Sequence, residues 1–208
     1  VVQWIDEPAP SRWRSRAAVM ADVVVAAVAG VTLGVVSGKA AASDLWGGIF
    51  TSAGLWIALI TVIGLFAPST DRAVLRTVVQ MPLTVAAHLG LGPAHPPPEQ
   101  TLGWCVLAAV AAPVLAGFAH EARRGGWLGS IVLACPSALL IAEARPWHSS
   151  PFGDPVAQFD LVAAAALLLL APVPLGVRLR AALLTAPAVY GTVHLLGAAG
   201  DLVERLRP

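Results

Sequence analysis

Charge is scarce in these 208 residues: 12% are Asp, Glu, Lys or Arg, about half the roughly 25% of an ordinary soluble domain. The thirteen basic and twelve acidic residues leave a net charge of +1. There is no basic stripe of the size that duplex binding needs, which excludes nucleic acid as a partner. Lysine is almost missing, Lys39 being the only one. The two cysteines, Cys105 and Cys135, fall at different expected depths, so their spacing does not suggest a disulfide. Five histidines are scattered over five segments, with no helically spaced pair beside a carboxylate, and no metal is expected. A P-loop, a dinucleotide fingerprint and a G-x-S-x-G elbow are also missing. No cofactor is expected, and energy from a nucleotide would have to come from another chain.

What remains is apolar sequence. Hydrophobic residues make up 57% of the chain and the mean hydropathy is +0.76, more than a water-soluble core absorbs. Seven apolar stretches follow one another, at about 17–36, 54–67, 73–91, 102–119, 127–144, 156–177 and 181–199. A crossing takes about 20 such residues, so several of these need a thinned bilayer or extended ends. The short alternating pattern of a lipid-facing barrel is missing, and helices satisfy their own backbone hydrogen bonds. The expected fold is therefore all-α: a polytopic transmembrane helical bundle of seven helices, or six if the last stretch lies along the interface. It divides into a cytoplasmic N-terminal segment at 1–16, a single transmembrane domain at 17–200 and a short C-terminal tail at 201–208. No small-residue cleavage site follows the first stretch, which reads as a retained span rather than a signal peptide.

Basic residues in short loops set the orientation. Arg12, Arg14, Arg16, Arg72, Arg76, Arg123, Arg124, Arg178 and Arg180 fall on one side of the alternating pattern, which this rule assigns to the cytoplasm. The other side has only Lys39 and Arg145 in its loops. The expectation is a multi-pass protein of the cell membrane with a cytoplasmic N-terminus. Arg205 and Arg207 run against this pattern if there are seven crossings and agree with it if there are six.

Prolines 82, 113, 136, 172, 174 and 187 fall within the third to seventh stretches, where each removes one backbone hydrogen bond and kinks its helix. Ala26, Gly30 and Gly34 stand four apart on the first stretch, a face that admits close helix contact, with either another helix of the chain or a partner membrane subunit.

The polar residues of interest collect on the arginine-poor side. The long loop at 37–53 carries Asp44 and Trp46, Trp56 opens the second stretch, His88 nears the end of the third and Trp104 opens the fourth. Glu143 closes the fifth, Trp147 follows it, and Asp160 lies about a turn into the sixth. Tryptophans at helix ends also anchor the headgroup level. The carboxylates are harder to account for, because ionisable groups beside hydrocarbon are costly and commonly face the bundle. Glu143 could pair with Arg145 at the interface. On the other side, Asp22 would be neutralised by Arg16, Arg123 or Arg124, and Tyr190 and His194, four apart, read as a buried hydrogen-bonded pair.

Ser52-Ala53-Gly54-Leu55-Trp56, Gly64-Leu65-Phe66-Ala67-Pro68-Ser69, Ala112-Pro113-Val114 followed by Arg123-Arg124, and Ala142-Glu143 together resemble a family of small actinobacterial polytopic membrane proteins, a domain of unknown function. The resemblance covers nearly the whole chain and implies a bundle of six or seven helices without an assigned activity.

Two functional classes follow. The first is a protein that binds or transports a small-molecule ligand from its extracytoplasmic side, with Asp44, Trp46, Trp56, His88, Trp104, Glu143 and Trp147 as the candidate ligand-binding residues. Its size and helix number are similar to those of substrate-capturing components of energy-coupled vitamin uptake systems. The alternative is a membrane-embedded enzyme on a lipid or isoprenoid, similar to terpene cyclases, with Glu143 or Asp160 as general acid and Trp56 and Trp104 stabilising cations. A structural or assembly subunit is the third option. Expected partners are the lipid bilayer, the ligand, and a partner membrane subunit or a second copy.

Overall fold

The computed structural model describes residues 16–43, 46–92, 95–144 and 154–205, and the side chains within 17–194 of that range. All regular structure among the described residues is helical, as expected. The seven apolar stretches become α1 (Arg16–Ala40), α3 (Ala53–Phe66), α4 (Thr70–Leu91), α5 (Pro98–Glu121), α6 (Gly126–Glu143), α7 (Pro155–Leu170) and α8 (Leu175–Arg205). A five-residue helix not expected from the sequence, α2 (Gly47–Thr51), precedes α3, and one 3₁₀ turn, Ala122–Arg124, follows α5. Four spans, Ala17–Ala40, Thr70–Leu91, Pro98–Arg124 and Gly126–Glu143, are long and apolar enough to cross a membrane; α3 and α7 are shorter apolar helices.

Packing follows the small residues. The buried core is mostly alanine, with Leu65, Leu133, Leu140 and Val177 among its largest side chains. Large apolar side chains such as Val25, Phe66, Val110, Leu128, Leu170 and Leu183 point outward. This is the reverse of a water-soluble protein: small residues bring helices together, and large ones face a surrounding as apolar as themselves. The fold is that of an integral membrane protein. It has two lobes. Helices α1, α4 and α5 form one and α6, α7 and α8 the other, and α3 packs against members of both.

The Gly30–Gly34 face, extended to Gly38, is an internal seam. A Cβ at Gly30 would lie 2.5 Å from the Gln80 carbonyl oxygen, and one at Gly38 would lie 2.9 Å from that of His88, both on α4. Glycine there allows the backbones of α1 and α4 to touch.

Prolines 82, 113, 136 and 187 stand inside α4, α5, α6 and α8. Pro172 and Pro174 do not lie in a span, since α7 ends at Leu170 and both occupy the turn to α8. Two prolines in three residues remove two amide donors and disfavour helical geometry before each ring.

Arginines hold the end where α1 and α4 begin. Asp22 is paired with Arg72 at 3.1 Å and Arg76 at 3.0 Å, not with Arg123 or Arg124 as expected; Arg16 has no described side chain. Parallel packing of α1 on α4 brings the first turns of these two helices together. Arg123 instead donates to the Ala67 carbonyl at 2.9 Å, closing the C-terminus of α3. Arg178 donates to the carbonyls of Leu169 and Val173 at the end of α7. Helix C-termini present unpaired carbonyls and partial negative charge, which guanidinium groups satisfy.

Candidate functional site

The opposite end holds the carboxylates, and a break in the chain positions them. At Ser52 the backbone turns extended, with φ −72° and ψ 147°, ending α2 and opening α3. The Ser52 hydroxyl donates back to the Ile49 carbonyl at 2.9 Å, so no side-chain cap from Ser52 serves α3. A helix start carries unpaired N–H groups and partial positive charge. Glu143, the last residue of α6, supplies the missing cap: its Oε1 accepts from the Ala53 N–H at 2.7 Å, and the Gly54 N–H also faces this carboxylate.

Asp160 approaches the same turn from α7. Its carboxylate lies against Gly54 so closely that a Cβ on that residue would collide with it. Asp160 is 0% exposed, and neither of its oxygens has a hydrogen-bond partner. Glu143 Oε2 is likewise buried and unpartnered. None of the ion pairs among the described residues includes either carboxylate.

The contrast with the other buried polar residues is sharp. Ser37, Thr61, Thr77, Thr84, Ser130, Ser137 and Thr185 are buried too, and each hydroxyl donates to a carbonyl of its own helix. Asp160 stands apart from all seven.

Helix length places this turn at depth. Fourteen residues of α3 rise about 21 Å at 1.5 Å per residue, against a hydrocarbon core of about 30 Å. With the C-terminus of α3 held at the arginine-rich end, its N-terminus falls short of the far surface. The rest of the way is taken by α2, which lies over the site. A Cβ at Gly48 would come within 2.7 Å of Val156 on α7, and a groove of about 320 Å³ between α2 and α7 is lined by Trp46, Ile49, Pro155, Gln158, Phe159 and Val162. No residue of α2 is buried.

The remaining candidates divide. Trp46 borders that groove and is half exposed. Trp56, one turn beyond Ala53, meets His88 edge-on at 5.7 Å, and His88 Nδ1 lies 3.0 Å from the Ser37 hydroxyl. This contact ties α1, α3 and α4 together in the other lobe. Trp104 is half exposed on α5. Asp44 and Trp147 lie outside the described residues, as does Arg145, the expected partner of Glu143. Among the described residues no cluster of three or more His, Cys, Asp or Glu could hold a metal ion. Cys105 and Cys135 are free thiols. Tyr190 and His194 are exposed rather than buried, and their rings meet edge-on at 4.2 Å.

Sequence reasoning singled out both carboxylates but missed what joins them. Gly54 and the break at Ser52 are the overlooked parts. Their signal was the run Thr51-Ser52-Ala53-Gly54 between two apolar segments, a place where hydroxyl side chains compete with helix and glycine admits a close neighbour.

No family model matches the chain, and no match was found among curated proteins or solved structures.

Proposed function

We propose that this membrane protein binds and transports a small molecule from its arginine-poor face, which the distribution of arginine makes extracytoplasmic, and that Glu143 and Asp160 form the polar centre that recognises it. The observation that carries this reading is the fully buried, unpartnered carboxylate of Asp160 beside a second carboxylate at the start of α3. A structural role would leave such groups paired, as Asp22 is. Unpaired ionisable groups inside a membrane bundle mark solute or ion pathways, and broken helices commonly build such centres in transporters.

The three free oxygens, Asp160 Oδ1 and Oδ2 and Glu143 Oε2, are acceptors. They favour a solute that presents N–H or O–H donors, and a primary ammonium presents three. Entry runs past α2, through the groove bordered by Trp46 and Phe159.

Thermal unfolding of the purified protein in nanodiscs tests this, using ethanolamine, putrescine and lysine beside ethylene glycol and butanediol as uncharged analogues. At least one amine is expected to raise the unfolding temperature of the wild type and to leave Asp160→Asn and Glu143→Gln unmoved. Equal effects of amines on wild type and both variants would reject the reading, as would no stabilisation by any of the five.

A further inference from the structure

The Glu143–Asp160 centre has three buried oxygens without a hydrogen-bond partner, and the Asp160 carboxylate is packed against Gly54. From this geometry we infer that the pair holds one proton at neutral pH, carried on Asp160, and that this proton is what an incoming solute or an opened α2 releases. The inference rests on reading the pair as the working centre and names the ligand that it holds in the closed state.

The division of roles follows from what each carboxylate touches. Glu143 has the Ala53 N–H at 2.7 Å and the positive end of α3 to stabilise negative charge. Asp160 reaches the same turn at Gly54, yet accepts no hydrogen bond through either oxygen. Two ionised carboxylates side by side in an apolar surrounding repel one another and lose their hydration. One proton on Asp160 relieves the repulsion and leaves that buried carboxyl uncharged.

None of the ion pairs among the described residues involves either carboxylate; at this end Lys39 on α1 is exposed, and His88 on α4 lies 3.0 Å from the Ser37 hydroxyl. The α2 and α3 segments carry no ionisable side chain, and α6 has only Cys135 besides Glu143. On α7, Asp154 adds a further negative charge that acts on Asp160, while its Oδ1 accepts from the Val156 N–H at 2.9 Å. On α8, Arg178 and Arg180 are engaged at the arginine-rich end, and Tyr190 and His194 are exposed. On α5, Glu121 is paired with Arg124 at that same end, where His120 also lies, and Glu99 is exposed.

The balance is simple. Opening of α2 lets water or a solute ammonium reach the pair, the Asp160 O–H bond breaks, the proton leaves to water on the arginine-poor side, and the carboxylate keeps the electron pair. If an ammonium takes its place, the charge of the site is unchanged.

Infrared spectroscopy of the full-length protein in nanodiscs tests the inference, with aspartate carrying ¹³C at its carboxyl carbon. A protonated-acid carbonyl band is expected at pH 7, where an ordinary aspartate of pKa about 3.9 is ionised roughly a thousand to one. That band should move with the aspartate label and with deuteration, be missing in Asp160→Asn and persist in Asp154→Asn. Absence of the labelled band from the wild type counts against the inference even if a variant fails to fold. Absence of a label-sensitive acid band at pH 7, or its persistence in Asp160→Asn, would overturn the inference. A labelled band in a protein that no amine stabilises would sustain the proton site while rejecting the solute reading; amine stabilisation without the band would do the reverse.

Discussion

The carboxylate of Asp160 occupies the space that a Cβ on Gly54 would take. This contact ties α7 to the first turn of α3 and sets the direction of a simple substitution. In an open helix position Gly→Ala stabilises by roughly 1 kcal/mol through lower backbone entropy. Here the added methyl group must displace a buried carboxylate, and overpacking of this kind costs about 1–3 kcal/mol. Gly54→Ala is therefore expected to lower the unfolding temperature, whereas Gly90→Ala, where nothing lies near the added atom, should be neutral or slightly stabilising.

The seam between α1 and α4 makes a second prediction. A Cβ at Gly34 would stand 2.6 Å from the Ala87 Cβ and 2.5 Å from the Thr84 carbonyl oxygen, and a backbone atom cannot swing aside. Gly34→Val should cost at least about 1–3 kcal/mol, read by reversible unfolding in mixed detergent micelles. Unchanged stability would mean that α1 does not dock on α4 through this face.

Asp22 carries a third. It holds both Arg72 and Arg76, whose side chains are 22% and 32% exposed. Removing one partner of a fully buried pair costs about 3–5 kcal/mol; with the guanidinium groups partly solvated, Asp22→Asn should cost about 2 kcal/mol. Arg76→Gln in the same chain should recover part of that loss, because one uncompensated cation then remains instead of two. An additive double variant would show that the charges act independently.

These three sites differ in how legible they were. The length of the apolar runs placed α1, α4, α5 and α6 within a few residues, because long apolar runs bounded by arginine or proline leave few alternatives. The small-residue face of α1 was visible, but its partner was not, since an identical face can seat a helix of the same chain or of another. Asp22 was recognised as needing a cation, yet its partners are set by which helices are neighbours, which loop spacing does not reveal. The same limit applies to the candidate site. Glu143 and Asp160 stood out as carboxylates beside apolar sequence, whereas their meeting at Gly54 depends on the break at Ser52, in a segment that reads as loop. Trp56 and His88 stood out as residues of the same arginine-poor end and instead join α1, α3 and α4.

The cover formed by α2 gives a dynamic prediction. With the proton in place, α2 packs over a singly charged pair; once it leaves, two negative charges face one another beneath it. Hydrogen exchange of the amides of Gly47–Thr51, referenced to their intrinsic rates, should quicken with rising pH in the wild type and stay flat in Asp160→Asn. Equal pH dependence in both proteins would separate the motion of α2 from the carboxylates.

The claim that this end of the bundle holds a protonated carboxylic acid is open to direct chemical reading. A hydrophobic carbodiimide such as dicyclohexylcarbodiimide reacts with protonated carboxyls within apolar surroundings and leaves a stable acylurea that mass spectrometry locates. The account predicts an adduct on Asp160 at neutral pH, declining as the pH rises and reduced by any amine that stabilises the protein. Adducts confined to Asp22, Asp154 or Glu121, with Asp160 unmodified at every pH, would contradict it.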